Sequence, residues 1–139
     1  MPRSSLLPLL AALAPWLLAI AGPAAAAPDP LAAHRWKARV LLVLAEDGSE
    51  AKLREQRNIF RDMGRDARER DLALVVVTGT APDAVALRRR FGVGPGFHAL
   101  LIGKDGGAKL TADAPLRPDA LLQLIDAMPM RRDEMGRGS

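Results

Sequence analysis

The sequence predicts an α/β domain in which helices cover both faces of a four-stranded mixed sheet. Three observations carry that expectation. Apolar runs rich in Val and Leu alternate with stretches of helical period, the first two runs flank a helix and so must lie parallel, and an Asp-Gly turn joins the last two.

Ala38 to Ala45 (ARVLLVLA) is nearly unbroken apolar sequence, as a strand covered on both faces must be. In Glu46-Asp47-Gly48-Ser49-Glu50, Asp47 or Ser49 can cap a helix by accepting backbone N–H bonds, and Glu50 suits its positive end. That helix is expected to run to about Arg70. Leu53, Phe60, Met63 and Ala67 form its stripe, Ile59 widens it, and Gly64 weakens its later part. Leu72 to Thr78 (LALVVVT) is the second buried strand, reached by a right-handed crossover.

Thr80, Pro82 and Asp83 mark the start of a short helix with Ala84, Leu87 and Phe91 inward and Arg88, Arg89 and Arg90 on a solvated end. After Gly92-Val93-Gly94-Pro95-Gly96, the third strand spans Phe97 to Gly103, Lys104-Asp105-Gly106-Gly107 turns the chain, and Ala108 to Ala112 is the fourth strand. Pro118 opens a last helix with Leu121, Leu124, Ile125 and Met128 at i, i+3, i+4 and i+7; Pro129 stops it, and Arg131 to Ser139 reads as a frayed polar tail. The order β, α, β, α, β, β, α, with strands arranged 2-1-3-4, is the thioredoxin-like arrangement.

Ahead of this domain, Met1 to Ala26 has the parts of a secretory signal peptide: Arg3, an apolar stretch from Leu6 to Ala21, and small residues before a cleavage point after Ala26. Pro8 and Pro15 interrupt the apolar stretch, so no lasting membrane span is expected, and no Cys follows to carry a lipid. The expected organisation is a signal peptide at 1–26, a lead-in linker at 27–33 containing Pro28, Asp29 and Pro30, one domain at 34–130 and a tail at 131–139. The expected address is periplasmic or secreted.

The chain has no cysteine, which excludes thiol–disulfide and thiol peroxidase chemistry and leaves packing alone to stabilise the domain. Its net charge is +4, but Arg57, Arg61, Arg65, Arg68 and Arg70 are interleaved with Glu55, Asp62, Asp66 and Glu69. A mixed, solvated helix face of this kind is no nucleic-acid stripe.

In the predicted topology the end of the first strand meets the loop before the third, gathering Glu46, Asp47 and Ser49 near Phe97 and His98. The plain reading makes Asp47 and Ser49 caps and His98 a strand residue; the sharper one is a binding cleft using a helix N-terminus for anions. Ser49 lacks the G-x-S-x-G elbow and an oxyanion motif. His34 and His98 lack metal-ligand spacing, and Met128, Met130 and Met135 read as core filling and tail in preference to a copper site. Lys104-Asp105-Gly106-Gly107 lacks the lysine and hydroxyl of a phosphate loop, and Trp36 is expected to pack over a sheet edge. No catalytic residue, cofactor or metal is assigned.

Three blocks, DPLAAHRWKARVLLVLA, RRRFGVGPGFHALLIGKDGGAKL and LLQLIDAMPMRRDEM, together resemble a bacterial exported family of unknown function, the P-DUDES group, with LIGKDGG and IDAMPMR the most specific parts. The resemblance implies a thioredoxin-like fold related to domains of sushi-repeat and equarin-type matrix proteins. It brings no activity and no catalytic residue. Against working thioredoxins this chain has no Cys between Glu46 and Glu50, and His98 stands at the expected cis-proline position, with Pro95 three residues earlier. The expected function is non-catalytic binding of another extracytoplasmic protein. The alternatives are a degenerate peroxiredoxin-like enzyme with nonthiol chemistry and a structural envelope protein. Immunoblotting and N-terminal sequencing of the exported protein should find Ala27 as the first residue; a full-length product embedded in the membrane would overturn the signal-peptide reading.

Overall fold

A strand with neighbours on both edges and helices on both faces has no exposed position, and β1 (Arg39–Ala45) is buried at all seven of its residues. The computed structural model describes residues 28–138, so the expected signal peptide lies outside the described residues. β1 pairs in parallel with β2 (Leu72–Thr78), from Arg39 opposite Leu72 to Ala45 opposite Thr78. On its other edge it runs antiparallel to β3 (His98–Ile102), with Leu44 opposite His98. β3 continues antiparallel into β4 (Ala108–Ala112), with a register shift between Leu101 and Ile102. The order is β2-β1-β3-β4, as expected from the sequence.

Side chains alternate across the sheet with a period of two, dividing the core into two layers. Leu41, Val43, Ala99 and Leu101 face Met63 of α1 (Glu50–Met63), Ala67 of α2 (Arg65–Glu69), and Leu121 and Ile125 of α4 (Pro118–Asp126). On the opposite face Val40, Leu42, Leu44, Leu100 and Ile102 meet Ala84 and Leu87 of α3 (Pro82–Phe91) together with Leu31. Leu31 is 5% exposed and its N–H bonds Asp29 Oδ1 at 2.9 Å, so the segment read as a linker turns into the core. Trp36, expected over a sheet edge, stands 61% exposed.

Local signals fail where a stronger one is present. The single helix expected to reach Arg70 is two, because Gly64 adopts φ +47°, a conformation that glycine tolerates and that ends α1. Neither Asp47 nor Ser49 caps α1: Ser49 holds the N-cap position without a side-chain bond, and Glu50 accepts the Gly48 N–H at 3.1 Å. Thr80 does not cap α3 either. Ala81 holds that position ahead of Pro82, whose fixed φ starts the helix unaided.

Polar side chains also occupy core positions that the apolar stripes concealed. Gln56 is fully buried and clamps the backbone of Leu116 twice, donating to its carbonyl at 3.0 Å and accepting its N–H at 2.6 Å. Arg70 was expected to be solvated. It instead forks onto Asp126 with two 2.9 Å bonds, tying the start of β2 to α4.

The polar tail is corrected most. Pro129, which cannot continue α4, is well suited to open a helix, and α5 (Pro129–Arg137) follows. None of its residues is buried. Ion pairs attach it: Glu134 binds Arg39 at 3.2 and 3.3 Å and Lys104 at 2.5 Å, while Arg131 reaches Asp126 at 3.3 Å and the Glu69 carbonyl at 2.9 Å. Arg39 needs this partner because it is only 1% exposed. Burial pushes the Glu134 carboxyl up, but hydrogen bonds from Lys104 and Arg39 outweigh it and hold the group below its usual range. The Arg70 hydrogen bond does the same for Asp126.

Glu134→Ala should destabilise the domain by about 2–3 kcal/mol, less than the ~3–5 of a wholly buried pair because Glu134 is partly solvated. The double variant Arg39→Met/Glu134→Leu should recover most of that loss in chemical denaturation. Because both carboxyls are depressed in the folded protein, their stabilisation is complete above an unfolded pKa of about 4 and disappears as pH falls below it. Equal melting of the wild type and Glu134→Ala at pH 7 would show that the Glu134 ion pairs contribute nothing.

Candidate functional site

Pairing of Leu44 with His98 brings the end of β1 against the loop that enters β3. Glu46, the first residue beyond the strand, uses both carboxylate oxygens there. Oε2 accepts the Gly96 N–H at 3.2 Å, and Oε1 lies 3.3 Å from Arg88 Nε in an ion pair without hydrogen-bond alignment. The Arg88 guanidinium then donates from one terminal nitrogen to the Gly94 carbonyl and from the other to the Gly96 carbonyl at 2.7 Å. Three pieces of chain, the end of β1, the last turns of α3 and the 92–97 loop, are thus fastened by two charged residues. Within such a desolvated network each bond strengthens its neighbours.

Arg88 was expected on a solvated helix end and is buried. The signal for this was available. With Ala84, Leu87 and Phe91 on the inner stripe, position 88 completes the i, i+3, i+4, i+7 pattern, so an arginine there faces inward and must find acceptors.

The remaining predicted residues do not form one cavity. A depression of about 140 Å³ lies between Glu46, Asp47, Ser49, Leu53 and Thr78 and does not include Phe97 or His98. Phe97 is 5% exposed and packs in the core beneath α1 and α4. The His98 ring places Nε2 3.2 Å from the Pro95 carbonyl. Asp47 is exposed, and its neighbour Glu50 is held below the usual carboxylate range by backbone N–H bonds, its own and that of Gly48. Two acidic side chains therefore sit at the start of α1, where the helix would otherwise favour an anion. Asp47 and Glu50 place two like charges where an anion would approach.

Chemically the arrangement holds and presents. Glu46 is occupied on both oxygens, the histidine ring rests on a carbonyl, and Ser49 has no side-chain capping bond. Among the described residues no three of His, Asp and Glu come together as a metal ion would need, and no peptide bond is cis. No described helix is long and apolar enough to cross a membrane.

Fold and site define a cysteine-free α/β domain whose strand-end loop is locked by an internal ion pair. Residues 30–134 match the model of the family described as Domain of unknown function (DUF4174), and the chain belongs to that family. No curated protein matches the sequence.

Arg88→Met keeps the apolar stem and removes the fork. It should lower stability by about 2 kcal/mol, from lost charge-assisted bonds. Amide exchange at Gly96 and Phe97 should accelerate roughly tenfold or more, since local opening then requires less free energy. Unchanged exchange in that loop would show that the clamp does not order it.

Proposed function

We propose that this protein is exported, loses residues 1–26, and serves in the periplasm or outside the cell as a non-catalytic domain of thioredoxin-like type, akin to the P-DUDES group, that binds another extracytoplasmic protein. The observation that carries this reading is the Glu46–Arg88 clamp. At the strand end where a thioredoxin-like enzyme keeps its reactive sulfur, this chain has a carboxylate consumed in holding a loop. A rigid loop beside two exposed carboxylates is a preformed surface, and a preformed surface binds without the cost of ordering itself. Asp47 and Glu50 favour a basic segment on the partner, with His98 at the margin.

Photo-crosslinkers placed at Asp47 and at His98 in the exporting cell should capture the same partner, whereas one at Asp119, on the start of α4, should not. With the crosslinker at His98, Asp47→Lys/Glu50→Lys should abolish the adduct while leaving the melting temperature within a few degrees, as surface substitutions do. The purified protein should turn over neither peroxide nor insulin disulfides. An adduct indifferent to the charge reversal, or turnover above blank, would remove this reading.

A further inference from the structure

The opposite end of the sheet carries backbone strain and a cavity that the clamp does not explain. Among the described residues only two non-glycines adopt left-handed backbone, Trp36 at φ +66° and Asp71 at φ +48°. Such conformations persist only where the surroundings enforce them. Both bear on Lys104: its carbonyl accepts the Trp36 N–H at 2.7 Å, and its ammonium donates to Asp71 Oδ2 at 2.9 Å. Lys104 is thereby fixed in the wall of a cavity of about 210 Å³ between the β3–β4 turn and the joint of α4 with α5.

The walls of that cavity differ in character. Met128, Pro129 and Met130 supply an apolar side, Arg39, Lys104 and Lys109 supply cations, and Asp105 supplies one carboxylate. Arg39 is 1% exposed and its Nε is closed off from the cavity, so it acts there through its charge alone. The carboxylates nearby are already committed. Glu134 serves the terminal nitrogens of Arg39 and the Lys104 ammonium, Asp71 serves Lys104, and Asp105 serves Lys109 at 2.9 Å. The Lys109–Asp105 pair is solvated and weak, so a competing anion can take the lysine. Gly103 lets the lysine stem lie against the backbone, since a Cβ there would stand 2.7 Å from Lys109 Cε.

The start of α5 adds donors. The first N–H of this helix to reach a helical carbonyl is that of Arg132, on Met128, which leaves those of Met130 and Arg131 ahead of it without an intrahelical acceptor. α1 to α4 each carry an acidic residue in the first turn, and α5 carries none.

We propose that this cavity binds a small carboxylic acid with an apolar body, its carboxylate set beside Lys104 and Lys109 at the start of α5, and its body against Met128 and Met130. Size supports the class: an apolar cavity of about 150 Å³ accepts benzene, so this one has room for a ring of that size and a carboxylate.

Phenylacetate is the probe, and benzyl alcohol, with nearly the same body and no charge, is its control. In amide NMR titrations of the purified protein, phenylacetate should give saturable shifts confined to Gly103, Lys109, Met130 and their neighbours, with a dissociation constant of about 1 mM or tighter. Benzyl alcohol should bind at least about tenfold more weakly, and Lys109→Met should weaken the acid by roughly that factor while leaving the alcohol unchanged. Met130→Trp, at an exposed position, should fill the space and abolish both. Shifts that do not saturate or that spread over all basic surfaces, equal affinity for acid and alcohol, or full binding by a folded Met130→Trp protein would each overturn the proposal.

Discussion

Everything in this domain is arranged around one strand that water never reaches. β1 is covered along its whole length, yet it begins with Arg39 and is followed at once by Glu46, so a charge stands at each end of the driest element in the fold. A charge so placed must be paired and hydrogen-bonded, or folding would carry an unreturned desolvation cost. Both ends meet the demand by recruiting chain that has no strong reason of its own to be there. At one end Arg39 draws in α5 through Glu134, and at the other Glu46 joins Arg88 in fixing the loop before β3.

Gln56 does the same with an uncharged group. Its amide meets the Leu116 peptide as a neighbouring strand would, donor to acceptor and acceptor to donor, and holds the connection between β4 and α4. Disulfides can fasten such connections, an option closed to a chain without cysteine. Buried polar side chains that bond to backbone are the substitute. They differ from a disulfide in acting on the folded state, whereas a cross-link acts mainly by restricting the unfolded one.

The sheet was legible because hydrophobic burial writes itself into sequence at short range. ARVLLVLA, LALVVVT and FHALLIG are apolar runs of strand length, and their order with the intervening helices admits few topologies. The polar interior was not legible in the same way. Arg39, Gln56 and Arg88 each occupy a core position by periodicity, but their partners lie 95, 60 and 42 residues away at Glu134, Leu116 and Glu46, and no local pattern announces a partner at such a distance. The same blindness turned α5 into a tail: its apolar content is too low to predict a packed helix, and the carboxylate that seats it is recognisable only once Arg39 is known to be buried. At the candidate site, the meeting of the two loops follows from topology, whereas Phe97, one residue ahead of β3, joins Ala99 and Leu101 in the core.

That α5 is seated without a single buried residue has a thermodynamic corollary. Heat capacity of unfolding tracks the apolar surface released to water, and this helix has little to release. Its departure would add almost nothing to the heat-capacity change, while the circular dichroism of a whole helix vanished. In this protein, heat capacity and spectroscopy therefore report on different portions of the chain, and a mismatch between them would be a property of its architecture.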